Sequence, residues 1–268
     1  MLYSTTQQSC WLFRILFGFA TLIALCGACV HATELTIQTL PTKVHQRTQS
    51  LNADFLASTP ESDTTKKNFP VLIFLHGAGG RGSNIQKVRQ ICRGVERGIG
   101  QFVKEPSIVI APQAIQGWLP EDLDILYEHI CANMPVNHSR IYLTGNSMGG
   151  YGTWAWAAHS PQHFAAIAPI VGGLGANGPK DVTPELDLWA ENLSTIPVWA
   201  FHGENDTVVP ADRSERMVKL IREKGGTEAR CTIFANEGHG ASRKVYTSQE
   251  FFDWLFSHKR NSNEHETE

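Results

Sequence analysis

The 268-residue sequence has no long block of lysine or arginine, and its formal net charge is −3. Phosphate backbones are bound by concentrated basic faces, so nucleic acid is excluded as the expected partner and small or uncharged ligands are favoured. No pair of cysteines or histidines has the C-x-x-C or H-E-x-x-H spacing of a zinc site, and neither a metal nor another cofactor is expected. No internal repeat is present, and low complexity is confined to the polar stretch Asn261 to Glu268, which reads as a frayed tail. Cysteine is sparse: Cys10, Cys26 and Cys29 fall in the first thirty residues, leaving Cys92, Cys131 and Cys231. Three thiols allow at most one internal disulfide, which excludes a disulfide-stapled scaffold.

No apolar run reaches the roughly 18 to 20 residues that a membrane-spanning helix needs. The longest, Ile15 to Val30, follows Arg14 and ends in Val30-His31-Ala32, with a small residue where a signal peptidase would cut. Residues 1–32 therefore read as a signal peptide, 33–260 as the folded domain and 261–268 as the tail. The expected location is secreted or periplasmic, with no stable membrane span after cleavage. An uncleaved anchor and lipid attachment at Cys29 are the alternatives, although Cys26 suits the start of a lipidation signal poorly.

What is present is ordinary globular composition, 42% hydrophobic and 18% charged, enough for one large core. Leu35 to Leu40 alternates apolar and polar residues like an edge strand, and Leu51 to Ala57 is a weaker second strand. Ser58 to Asn68 reads as a surface turn. Val71 to Leu75, Ser107 to Ala111, Phe164 to Ile170, Pro197 to His202 and Ala229 to Phe234 read as strands, the continuous apolar runs among them as strands buried on both faces. Between them, Ile85 to Arg97, Glu121 to Asn133, Tyr151 to His159, Ala211 to Glu223 and Phe251 to Phe256 read as helices. This alternation predicts an α/β fold: a mostly parallel central sheet, right-handed crossovers and helices on both faces. In such sheets ligands collect at the carboxyl ends of strands. The loops at those ends are His76 to Gly82, Gln113 to Trp118, Gly145 to Gly149, Val171 to Gly175, His202 to Val209 and Glu237 to Gly240.

One of these loops carries a nucleophile pattern. Gly145-Asn146-Ser147-Met148-Gly149 follows an apolar strand and opens a helix, matching the G-x-S-x-G turn that pushes a serine hydroxyl out of the backbone. A serine is a weak nucleophile at neutral pH and needs an imidazole base held by a carboxylate, expected here in the order serine, acid, histidine. His239, between two glycines after the final strand, suits the base better than His159, His163, His202 or His258; His202 reads as a brace for its loop. Asp206 is the expected acid, with Glu204 and Asp187 as alternatives and Asp212 read as a helix-opening residue. An oxyanion needs two donors. The N–H of Met148 is one, and the N–H of Ala78, with Gly79 in reserve, is the other. The glycine-rich 77–82 stretch lacks the Gly-Lys-Ser/Thr of a phosphate loop. Trp118 is a candidate pocket wall on its loop, as are Trp189 and Tyr151, whereas Trp154 and Trp156 read as core. The connection Gly172 to Glu191 is long enough for a partial lid and too short for a cap domain.

Phe74-Leu-His-Gly-Ala-Gly-Gly-Arg-Gly82, Arg140 to Trp154, Phe201-His-Gly-x-x-Asp206-x-x-Val-Pro210 and Gly238-His239 together resemble the α/β-hydrolase superfamily. Within it the chain is similar to the compact prolyl-oligopeptidase-like and dienelactone-hydrolase-like esterases. The resemblance runs from about Phe69 to the last helix and departs after His239, where Gly240-Ala241-Ser242 follows. It implies Ser147 as nucleophile, Asp206 as acid, His239 as base, and Ala78 and Met148 as oxyanion donors; from their loop positions Trp118 and Gly79 are expected beside the substrate. An ester of a small molecule or polymer is the expected substrate. A peptidase is the second expectation, and a non-catalytic binder on the same scaffold the third.

Overall fold

The computed structural model describes residues 34–60 and 68–260. The expected signal peptide and lipidation cysteine, most of the 58–68 turn and the tail from 261 lie outside the described residues. Eight strands form one sheet: β1 (Thr36–Thr39), β2 (Asp54–Ser58), β3 (Phe69–Leu75), β4 (Ile108–Ala111), β5 (Val136–Asn146), β6 (Ala166–Ile170), β7 (Val198–Gly203) and β8 (Ala229–Phe234). Their spatial order is β1-β2-β4-β3-β5-β6-β7-β8. Only β1 and β2 run antiparallel to their neighbours; β4 through β8 are parallel. The helices are α1 (Thr42–His45), α2 (Ile85–Phe102), α3 (Pro120–Asn133), α4 (Met148–His159), α5 (Leu186–Leu193), α6 (Asp212–Glu223), α7 (Ser242–Val245) and α8 (Gln249–Ser257).

The sheet is covered on both faces because its central strands are apolar on both. Along β3, Val71, Ile73 and Leu75 join one core with Leu126 of α3, Trp154 of α4, Leu193 of α5 and Met217 of α6. Leu72 and Phe74 point the other way, into a second core with Val88 and Cys92 of α2 and Phe251 and Phe252 of α8. Each fully buried side chain of this size contributes about 1.5–3 kcal/mol by leaving water. Helix α4 is buried almost all round, from Gly149 to Ala158, which explains why it shows no polar stripe. Trp154 and Trp156 are core residues, as expected, and the three cysteines of the described part are free thiols.

Several boundaries differ from the sequence reading. Helix α2 continues past Arg97 to Phe102, and the apolar strand before Ser147 begins as early as Val136. The end of the Gly172 to Glu191 connection, from Leu186 on, is helical, so Asp187 sits in the first turn of α5 instead of in a loop. Tertiary packing explains α2: its buried stripe Ile85, Val88, Cys92, Val95 and Ile99 runs on through Gly98, where α8 crosses closest. The helix starts at Asn84, whose side chain accepts the Gln86 N–H.

The two glycines inside α2 make opposite predictions. A Cβ on Gly98 would lie 2.5 Å from Phe252 Cζ and 2.6 Å from the Tyr246 carbonyl oxygen, whereas one on Gly94 meets nothing nearer than 4.0 Å. Alanine gains about 1 kcal/mol over glycine in a helix interior, and overpacking costs about 1–3 kcal/mol. Gly94→Ala is expected to raise stability in urea unfolding by up to about 1 kcal/mol, and Gly98→Ala to lower it by about 1–2 kcal/mol. A stabilised Gly98→Ala protein would contradict this packing.

Candidate active site

The chain reverses between β5 and α4 within one residue. Ser147 has φ 59° and ψ −115°, a left-handed conformation that costs a non-glycine residue about 1–3 kcal/mol. Its N–H donates to the Ile170 carbonyl at 2.9 Å and its carbonyl accepts from the Tyr151 N–H at 2.9 Å, so both backbone groups are held. The turn fits only because its neighbours lack side chains: a Cβ on Gly149 would strike the Leu75 carbonyl, and one on Gly150 would lie 2.5 Å from the Ile170 oxygen.

The structure brings Ser147, His239 and Asp206 together. Ser147 Oγ lies 2.7 Å from His239 Nε2, and His239 Nδ1 lies 2.8 Å from Asp206 Oδ2. Asp206 Oδ1 accepts the N–H groups of Val208 and Val209, each at 2.9 Å. Burial pushes this carboxyl upward, but the His239 hydrogen bond and the two backbone donors outweigh it and hold Asp206 below the ordinary carboxylate range. The alternatives stand elsewhere. Glu204 is exposed and accepts the Asn236 N–H, Asp212 pairs with Arg213, and Asp187 lies in α5. His159 and His163 surround Asp124 on the outside of α4, and His258 faces Glu228.

The β3 loop passes directly beside the serine, since a Cβ on Gly77 would sit 3.1 Å from the Asn146 carbonyl oxygen and 3.5 Å from Ser147 Cβ. Ala78 opens a single 3-10 turn there, and Met148 begins α4. Among the described residues neither backbone N–H donates to a protein acceptor. Met148 stands at the positive end of the α4 dipole.

His76 fixes this loop. It is fully buried; its Nε2 accepts the Ala114 N–H at 3.0 Å, so the ring proton is on Nδ1, which donates to the Gly77 carbonyl at 2.7 Å. Gln113, also fully buried, donates to the carbonyls of Gly80 (2.7 Å) and Asn84 (3.0 Å) and accepts from Asn52. Neither was singled out from the sequence. The usable signal was a glutamine and a histidine directly following apolar strands, where a buried polar side chain must find partners.

A cleft of about 470 Å³ opens over Ser147, walled by Leu119, Pro120, Met148, Tyr151, Val208 and Val209, with Arg81, Gln116 and Asn177 as polar groups at its border. Ala78 also borders it. Trp118 contributes to the wall but is only 3% exposed. Its indole N–H donates to the His76 carbonyl at 3.0 Å and its side chain fills the space over Gly152, so it braces the loop more than it reaches for a ligand. Gly79 is exposed and stands outside the cleft wall. Tyr151 borders the cleft, with Trp189 behind it at 6.2 Å between ring centres. Among the described residues no three His, Cys, Asp or Glu side chains cluster as a metal site, and no helix is long and apolar enough to cross a membrane.

A mostly parallel sheet with a serine on a strained strand-to-helix turn, an imidazole on its hydroxyl and a carboxylate behind it defines an α/β-hydrolase. The Dienelactone hydrolase family model matches residues 119–252, half of the sequence, and the chain belongs to that family of hydrolases. Its relatives include the probable feruloyl esterase C of Aspergillus terreus, 24% identical over 72% of this chain and 70% of the relative. A putative carboxymethylenebutenolidase of Salmonella typhimurium is 32% identical over 37% of this chain and 36% of its own length. Among solved structures, a thermostable esterase superposes with a TM-score of 0.70 at 27% identity, covering 87% of this chain and 64% of the esterase. This chain thus spans about a third of the Salmonella protein and under two thirds of the esterase.

The buried His76 ring makes a pH prediction. Desolvation pushes it down to about 4, the Gly77 hydrogen bond works against that, and the Arg81 charge adds to it. The unfolded chain takes up this proton near pH 6.5 and the folded chain only near 4, so the contribution is complete above 6.5 and is lost as pH falls through that window. The loss amounts to about 3 kcal/mol. Urea unfolding at pH 7.5, 6 and 4.5 should give a flatter pH dependence for His76→Asn than for wild type. Two equally steep curves would rule this out.

Proposed function

We propose that the protein is a secreted or periplasmic serine hydrolase that cleaves carboxylic esters through an acyl-enzyme on Ser147. The observation that carries this reading is the unbroken hydrogen-bond line from Ser147 Oγ through the two nitrogens of His239 to Asp206. His239 Nε2 takes the hydroxyl proton as Ser147 Oγ attacks the ester carbonyl carbon, and Asp206 stabilises the imidazolium and keeps its proton on Nδ1. The carbonyl oxygen becomes an oxyanion between the N–H groups of Ala78 and Met148, where the α4 dipole adds favourable potential. Collapse breaks the carbon–alkoxy bond, and the leaving oxygen collects the proton from His239 Nε2. A water then loses a proton to the same nitrogen, attacks the acyl carbon and releases the carboxylic acid, while the proton returns to Ser147.

The wall chemistry supports an apolar or aromatic ester group, because Leu119, Pro120, Met148, Tyr151 and Val209 offer packing and few hydrogen bonds. The Aspergillus relative is named a probable feruloyl esterase, and an aromatic acyl group of that kind suits these walls.

Fluorophosphonate labelling should mark wild type and leave Ser147→Ala unmarked; equal labelling of both would sink the reading. Asp206→Asn should lower turnover of aryl esters by roughly 10⁴-fold, because the asparagine holds the wrong imidazole tautomer. A panel of aryl and alkyl esters beside peptide amides should give ester turnover well above amide turnover. Amide turnover that rivals it would turn the assignment toward a peptidase.

A further inference from the structure

One titratable side chain beside these three residues has no part in the scheme above. His202, at the end of β7, is fully buried, and so is Ser214 of α6, which it touches. His202 Nδ1 lies 2.8 Å from Ser214 Oγ; its Nε2 lies 3.0 Å from the Val209 carbonyl oxygen and 3.3 Å from Asp206 Oδ2. A carbonyl oxygen only accepts, so the proton is on Nε2, and Nδ1 accepts the Ser214 hydroxyl. The Nε2–H is therefore donated to Val209, with the carboxylate oxygen 3.3 Å from the same nitrogen.

We propose that His202 is a positioning residue for the reaction: its Nε2–H, held on the Val209 carbonyl, stands against the same Asp206 oxygen that accepts from His239 Nδ1, fixes the carboxylate's orientation and weakens its pull on the His239 proton. The inference rests on the assignment of Ser147, His239 and Asp206 made above. With His202 in place, Asp206 accepts three hydrogen bonds, two at Oδ1 from the backbone and one at Oδ2 from His239, and the His202 Nε2–H adds its positive end 3.3 Å from Oδ2. A carboxylate that shares its charge among more donors is a weaker base toward each of them. The titratable groups facing His202 are Asp206, from the loop after β7, and His239, from the loop after β8; α6 presents the uncharged Ser214. Burial holds His202 below the ordinary histidine value, which keeps it neutral and keeps a second positive charge away from His239.

Two replacements separate this role from a structural one. In His202→Gln the amide nitrogen reaches the place of Nε2 and can still donate to Val209 and Asp206. In His202→Asn the amide reaches only the Nδ1 position, toward Ser214. The readouts are kcat and KM for an aryl ester from pH 5 to 9, with thermal unfolding as the control for folding. His202→Gln should keep the wild-type acid limb and turnover within about threefold, whereas His202→Asn should move the acid limb up by about half a unit or more and lower kcat about tenfold at unchanged KM. A His202→Asn enzyme with the wild-type acid limb, or a Gln variant that falls as far as the Asn variant, overturns the proposal. Should His202→Asn fail to fold, Ser214→Ala, which loosens the ring from one side only, should move the acid limb in the same direction, and an unmoved limb overturns it. Labelling separates the two assignments. If fluorophosphonate marks wild type but not Ser147→Ala and the acid limbs coincide, only the role of His202 fails; if Ser147→Ala is still marked, both fail.

Discussion

The structure depends on one close backbone crossing, where β5 turns into α4 between β3 and β6. Gly149 packs on the Leu75 carbonyl and Gly150 on Ile170 and Gly172, with no room for a side chain at any of these contacts. That approach brings the α4 N-terminus down onto the sheet and forces Ser147 into its left-handed conformation. The strain persists because the surroundings over-determine it: two backbone hydrogen bonds hold the serine, and α4 is buried on nearly every side. A looser crossing would let the turn relax and withdraw the hydroxyl from the cleft.

Polar side chains then tie the neighbouring loops to that fixed point. Asp122, buried at the start of α3, accepts the N–H groups of Gln49 and Ser50 at 2.9 and 2.7 Å. Ser50 Oγ accepts from Gln116 and Gly117, so the segment between β1 and β2 supports one wall of the cleft. The antiparallel edge of the sheet thus supports the cleft although Ser147, Asp206 and His239 all lie elsewhere. On the other side, Asn205 N–H donates to Glu237 and Glu204 N–H to Phe234, which ties the Asp206 loop to the His239 loop. Gly203 permits this, since a Cβ there would collide with the Gly238 carbonyl. The line from Asp206 to Ser147 is short because three separate strand ends are held in register by such contacts.

Local sequence pattern was enough for the fold class. Short continuous apolar runs bounded by turn residues, such as Val71 to Leu75, read as strands covered on both faces, and their alternation with amphipathic stretches points to a parallel sheet. The glycines around Ser147 made the sharp turn legible, because few other residues permit such a crossing. The extent of α2, the helical character of residues 186–193 and the start of β5 at Val136 were decided by tertiary packing, which overrides local pattern. Only the folded chain shows that Asp206, and not Glu204 on the same loop, turns inward beside His239. It also decided that Trp118 is a buried brace and that Gln113, His76 and His202 are fully buried and hydrogen-bonded. The Trp118–His76, Gln113–Gly80 and His76–Ala114 contacts join residues tens of positions apart, and no local pattern encodes a distance in space.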